Sequence, residues 1–278
     1  MKKWILPGVC LLLNAVLLVG NYKLHQSNVE MHASNVALYE QTMATQEAFE
    51  HRYDGYHVEI KDIVDFTDYP DKAAQAEKNK YYAKRELMYM NMPAGPTDVV
   101  FVGDSQTDRC SWEEFYPDLN VKRRAIVADT IYGVHSRMDT ILATKPSKIF
   151  ILIGSNDLYA LSMEKHEEAT STDDLIAVYQ DIIETFQANA PEATIYVESV
   201  LPMREEEDER EDYNALIQEF NPKLANLCRE KQVEYMDLWS LLADADGTLK
   251  EEYSLDGLHI SSKAYAVIKK QVDRVIYQ

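Results

Sequence analysis

Five short strand-like runs separated by stretches of helical length restrict this chain to one kind of fold. The runs are "DVVFVG" (98–103), "VKRRAIV" (121–127), "SKIFILIG" (147–154), "ATIYVESV" (193–200) and "VEYMDL" (233–238). As a set they suit burial on both faces, the condition of a parallel sheet. Between and after them, residues 130–143, 172–189, 211–231 and 261–276 have the length and periodicity of amphipathic helices. This alternation predicts a doubly wound α/β layer structure around a mostly parallel five-stranded sheet. A further helix is expected over 71–90, stopped near Pro93, with "AGPT" (94–97) turning the chain into the first strand.

With 278 residues and 46% apolar composition, the chain can bury one full core and still carry appendages. The formal charge of -19, with no cluster of Lys and Arg, argues against nucleic acid or an anionic lipid surface bound through a basic face. The densest acidic run, "REEEDERED" (204–212), reads as a solvated loop or helix start rather than a cation site.

The N-terminal end carries a membrane signal. Lys2 and Lys3 precede "WILPGVCLLLNAVLLVG" (4–20), which contains no charged side chain. As a helix this segment would span roughly 25 Å, so a cleaved signal peptide and a short anchor both fit. No clear small-x-small site precedes Asn21, and Val9 before Cys10 is not the small residue that lipoprotein cleavage requires. An uncleaved anchor over 1–20 is therefore expected, with the two lysines on the cytosolic side and everything after residue 21 outside the membrane. Residues 21–70, polar with scattered Val29, Val36, Leu38 and Phe49, read as an extracytoplasmic stalk, and 71–278 as the folded domain. Cys110 and Cys228 are far apart in the chain, and their pairing stays open.

In doubly wound sheets, ligands sit beyond the carboxyl ends of the strands. The polar residues placed there are Ser105 in "GDSQT", Ala128 and Asp129 in "IVADT", Asn156 in "IGSND", and Asp256 and His259 in "DGLH" after the last strand. A serine hydroxyl becomes a useful nucleophile only when a base takes its proton, and imidazole suits that task near neutral pH. His25, His32, His51 and His57 fall in the stalk, while His135 and His166 have no carboxylate partner that the sequence motivates. His259 remains, with Asp256 three positions earlier to accept its second ring N–H and Gly257 between them to let the loop bend. Acyl transfer also needs donors aimed at the oxygen that becomes negative. The backbone N–H groups of Ser105 and Ala128 and the side-chain amide of Asn156 are the candidates.

These blocks resemble, in order and approximate spacing, those of the SGNH, or GDSL-type, hydrolases: "GDS" (103–105), a residue after strand two, "GSND" (154–157) and "DGLH" (256–259). The resemblance covers residues 80–278. The stretch "YYAKRELMYMNMPAGPTDVVFVGDSQTD" is also similar to the helix and first strand of bacterial members akin to platelet-activating-factor acetylhydrolase. It implies a flavodoxin-like sheet, Ser105 as nucleophile, His259 as base, Asp256 as its orienter, and Ser105, Ala128 and Asn156 as the oxyanion hole. It implies no metal and no organic cofactor. Ala128 departs from the family's glycine, and alanine keeps the donor if its dihedrals permit. Gln106 stands where many relatives are apolar and is expected to alter the acyl pocket. The expected function is a serine esterase that removes acetyl or short acyl groups from carbohydrate or lipid substrates. The alternatives are an O-acyltransferase acting on cell-envelope glycans, a lysophospholipase, and a non-catalytic surface binding protein.

Overall fold

A computed structural model describes residues 72–92, 95–166, 168–204 and 211–278. The expected anchor (1–20), the stalk (21–70) and residues 205–210 of the acidic run lie outside the described residues. Helix α1 (Lys72–Asn91) leads into β1 (Thr97–Gly103), the short helices α2 (Ser105–Asp108) and α3 (Trp112–Phe115), and β2 (Val121–Ala125). Helices α4 (Ile131–Ser136) and α5 (Met138–Leu142) precede β3 (Pro146–Leu152). Then come α6 (Ser155–Ser162), α7 (Thr172–Asn189), β4 (Thr194–Glu198), α8 (Glu211–Lys231) and β5 (Glu234–Met236). Helix α9 (Trp239–Leu242), a 3-10 turn (Glu251–Tyr253) and α10 (Ser262–Val272) complete the described chain.

The five strands pair in parallel in the order β2-β1-β3-β4-β5, the sheet that the alternation predicts. The chain moves outward from β1 to β2, then returns past β1 to β3. Because parallel crossovers are right-handed, reversing the direction of travel lays helices on both faces. Successive residues of β1 feed the two cores in turn, as a period of two requires. Val100 and Val102 pack with Ile131, Tyr179, Phe186, Ile217 and Phe220. Val99 and Phe101 pack with Trp112, Phe150, Leu242 and Ile268. On this second face an aromatic ladder runs across neighbouring strands, with Phe101 stacked on Phe150 at 5.0 Å and Phe150 on Tyr196 at 4.6 Å. Cys228 belongs to the first core and Cys110 to the second, so the sheet lies between them and both are free thiols.

Several boundaries differ from the sequence reading, and two of the differences have a local cause. The helix expected over 130–143 is two helices, broken at Arg137, whose φ of -110° leaves helical space. That residue's guanidinium is fully buried against Asp129. Strand β5 is shorter than 233–238 because the Leu238 N–H turns back to the Met236 carbonyl and the Ser199 hydroxyl. Helix α10 stops at Val272. Among the described residues no helix is long and apolar enough to cross a membrane.

Beyond β4 the chain stays extended because α8 supplies the partners a strand would have supplied. Asn221 bonds both the N–H and the carbonyl of Val200, each at 2.9 Å. Asn214, seven residues earlier and so on the same helix face, does the same for Met203 at 3.0 and 2.8 Å. This brings Arg204 beside the loop around residue 257, where its N–H donates to the Gly257 carbonyl at 2.8 Å.

Candidate active site

The site begins where β1 ends. At Gly103 a side chain is excluded, since a Cβ would stand 2.3 Å from the Leu152 carbonyl oxygen on the neighbouring strand. Asp104 caps α2, its Oδ1 accepting the Gln106 N–H at 2.9 Å. Ser105 is thereby the first residue of that turn and 8% exposed. Burial pushes the Asp104 carboxyl up to about 7; the Gln106 N–H opposes this, and Asp129 and Asp157 add to it.

The loop 254–260 delivers the histidine. It is closed by a bridge between Ser254 and Ile260 and by the Leu255 N–H donating to the His259 carbonyl at 2.8 Å. Gly257 has a φ of +89°, a conformation that side chains disfavour, and a Cβ there would lie 2.8 Å from the Arg204 carbonyl oxygen. Asp256 Oδ1 accepts the backbone N–H groups of His259 at 2.7 Å and Leu258 at 3.2 Å. Its Oδ2 lies 2.8 Å from His259 Nδ1. Burial raises the Asp256 carboxyl, but the bonds from the His259 N–H and ring and from the Leu258 N–H outweigh it and hold the group below the ordinary carboxylate range.

Ser105 Oγ stands 3.1 Å from His259 Nε2. With Nδ1–H donated to Asp256, Nε2 keeps its lone pair directed at the hydroxyl. The three side chains therefore form one continuous series from hydroxyl to carboxylate, across 154 residues of chain.

The other predicted residues gather on neighbouring loops. Gly103 pairs in register with Ala125 on one side and Leu152 on the other, so the loops after β1, β2 and β3 start level. Ala128 has a φ of 64°, in the left-handed region that glycine adopts more readily than alanine. Among the described residues, the backbone N–H groups of Ser105 and Ala128 have no hydrogen-bond partner. Asn156 Nδ2 donates to the Asp129 carbonyl at 2.7 Å, tying the loop after β3 to the loop after β2. A primary amide carries two hydrogens, so one is left.

Two residues near the site play parts that the sequence did not reveal. Asp129 is buried, paired with Arg137 at 2.5 Å and accepting the Tyr82 hydroxyl at 2.9 Å. Burial opposes charge on Arg137, but the Asp129 carboxylate outweighs it and keeps the guanidinium protonated. His166 does have a carboxylate neighbour, contrary to the sequence reading: its Nε2 is 3.5 Å from Asp157 Oδ1. Its Nδ1 already accepts the N–H groups of Glu168 at 3.2 Å and Ala169 at 2.9 Å, so the ring has no lone pair left for a substrate proton. His135 lies on α4.

A small cavity of about 10 Å³ is lined by Asp104, Gln106, Leu152, Ile153, Ser155, Val200 and Leu201, and so borders both chain neighbours of Ser105. Gln106 lines it, yet its amide is engaged elsewhere: Nε2 donates to the Leu258 carbonyl at 2.8 Å and Oε1 accepts the Ile260 N–H at 3.3 Å. Gln106 thus borders the cavity and at the same time ties to the loop that carries His259. Among the described residues no group of three His, Cys, Asp or Glu side chains is placed to hold a metal ion.

The model of the GDSL-like Lipase/Acylhydrolase family matches residues 101–267, more than half of the chain. The chain belongs to the GDSL-like lipase/acylhydrolase family. As a GDSL-like acylhydrolase it is a hydrolase acting on ester bonds. It is 26% identical over 191 residues to the platelet-activating factor acetylhydrolase IB subunit alpha2 of Gallus gallus, covering 65% of this chain and 76% of that one. A Streptococcus pneumoniae structure described as a platelet activating factor matches with a TM-score of 0.64 at 26% identity, over 74% of this chain and 98% of that one. An acetylxylan esterase from Geobacillus stearothermophilus matches with a TM-score of 0.52 at 18% identity, over 66% and 96% of the two chains, a likeness of fold.

Proposed function

We propose that this GDSL-like acylhydrolase is a serine esterase that removes acetyl or other short acyl groups from carbohydrate substrates through an acyl-enzyme intermediate. The observation that carries this reading is the continuous contact series Ser105–His259–Asp256, at 3.1 and 2.8 Å. His259 Nε2 takes the hydroxyl proton as Ser105 Oγ bonds to the ester carbon, and Asp256 stabilises the imidazolium that results. The carbonyl oxygen, now negative, accepts hydrogen bonds from the Ser105 and Ala128 N–H groups and from the free hydrogen of the Asn156 amide. Collapse of the intermediate breaks the bond to the alcohol, which leaves with the proton from His259. Water then repeats the sequence, giving up a proton to His259, and its oxygen bonds to the acyl carbon to release the acid and restore Ser105.

The short-acyl preference is supported by the 26% identity to the Gallus gallus platelet-activating factor acetylhydrolase subunit. The carbohydrate class is supported by the likeness in fold to the acetylxylan esterase. We assign residues 1–20 as an uncleaved membrane anchor, 21–70 as a stalk and 71–278 as the catalytic domain outside the membrane. The support is the uncharged run 4–20 behind Lys2 and Lys3.

Ser105→Ala is expected to abolish hydrolysis of nitrophenyl acetate while the thermal midpoint stays near that of the parent. Undiminished turnover would end the reading. A panel of acetylated oligosaccharides, butyryl esters and lysophospholipids tests the substrate class, and faster turnover of the lysolipid would replace it. Acetylated glycan as the product, in place of free acetate, would mark transfer to a sugar hydroxyl rather than to water.

A further inference from the structure

Gln106 follows Ser105 directly, and its backbone N–H and carbonyl and both polar atoms of its side-chain amide make hydrogen bonds. Its N–H donates to Asp104 Oδ1 at 2.9 Å, and its carbonyl accepts the Tyr265 hydroxyl of α10 at 2.7 Å. The side chain crosses to the loop that presents His259, donating to the Leu258 carbonyl at 2.8 Å and accepting the Ile260 N–H at 3.3 Å. Leu258 and Ile260 are the chain neighbours of His259 on either side. We propose that Gln106 is a positioning residue, an amide clamp that grips the backbone on both sides of His259 and fixes the approach of its ring to Ser105.

The inference rests on His259 acting as the base, and burial argues for it. Asp256, which orients the ring, has a side chain 49% exposed, so water competes for its hydrogen bonds. Gln106 is 4% exposed, and bonds formed out of water hold position more firmly. The clamp also starts from the residue next to the nucleophile, so movement of α2 carries the histidine loop with it. An apolar side chain of the same size fills the space but cannot bond either backbone group. The clamp is thus a property of the amide and not of the volume.

Two variants test this. Gln106→Leu keeps the bulk and removes donor and acceptor. Gln106→Glu is an isostere whose protonated carboxyl offers one O–H to the Leu258 carbonyl and one oxygen to the Ile260 N–H, whereas the ionised form offers oxygens only. We expect Gln106→Leu to lower kcat on the order of 10- to 100-fold at unchanged KM, the scale set by small displacements of a catalytic group. For Gln106→Glu, kcat relative to the parent at the same pH should be near one at acid pH and fall toward the leucine value as the carboxyl ionises. Dividing by the parent at each pH removes the part of the profile that the two proteins share. Parent-like kcat in Gln106→Leu, or a Gln106→Glu ratio flat with pH, would overturn the clamp. If the leucine variant fails to fold by circular dichroism, the glutamate ratio alone decides. Loss of turnover in Ser105→Ala with no effect at Gln106 rejects the clamp only, whereas turnover that survives Ser105→Ala rejects the esterase reading beneath it.

Discussion

Arg137 and Asp129 face one another at 2.5 Å with neither side chain reaching solvent. Arg137 Nη2 also donates to the Arg124 carbonyl at 3.0 Å, and the Asp129 carbonyl receives the Asn156 amide. A buried ion pair thus fixes the loop that presents the Ala128 N–H.

Arg137→Ala is expected to cost about 3–5 kcal/mol, because it leaves a carboxylate buried without its partner. Urea unfolding at pH 7 measures the loss. A change below about 1 kcal/mol would show that the pair does not hold the fold.

Glu198, the last residue of β4, is 2% exposed, and its Oε1 has no hydrogen-bond partner among the described residues. Burial alone pushes its carboxyl up to about 8. From the ordinary carboxylate range up to about 8, the native state therefore holds a proton that the unfolded chain has released, so this residue makes stability fall as pH rises through that window. Glu198→Gln should raise stability at pH 8 by a few kcal/mol, at roughly 1.4 kcal/mol per unit of pKa. It should also flatten the slope between pH 5 and 8 relative to the parent. Parallel stability curves for the two proteins would refute this.

At Ala128 two effects of similar size oppose each other. Its φ of 64° costs an L-residue about 1–2 kcal/mol, while glycine adds about 0.4–1 kcal/mol of unfolded-state entropy. Ala128→Gly should therefore range from neutral to stabilising by about 1.6 kcal/mol, with kcat retained or increased because the group proposed as donor is a backbone N–H. A tenfold fall in kcat would mean that the methyl group itself contributes.

Gly257→Ala should do the opposite. The φ of +89° and the 2.8 Å approach to the Arg204 carbonyl cost about 1–3 kcal/mol in strain. The displaced loop carries Asp256 and His259 with it, so kcat should fall at least tenfold while KM changes little. Parent-like kcat and thermal midpoint would show that the loop absorbs the methyl group without moving the dyad.

The parallel sheet, its five strands and the order of the polar blocks at its rim could be read from residue order, because periodicity and turn chemistry act over a few residues. The break in the helix at Arg137 could not, since its cause is a carboxylate eight positions away that the helical pattern ignores. His166 shows the same limit: its Asp157 neighbour and the two N–H groups that occupy Nδ1 arise from how the loop 164–169 folds back.

Residue order determined that a serine after the first strand and a histidine after the last would lie on the same edge of the sheet. Only the packed chain decided the 3.1 Å between them and made Gln106, which lines the cavity, a tie between the two loops as well. Strand patterns follow from the side-chain sequence of a single segment. A hydrogen bond across 154 residues depends instead on the relative placement of segments, which the burial of both faces of the sheet sets jointly.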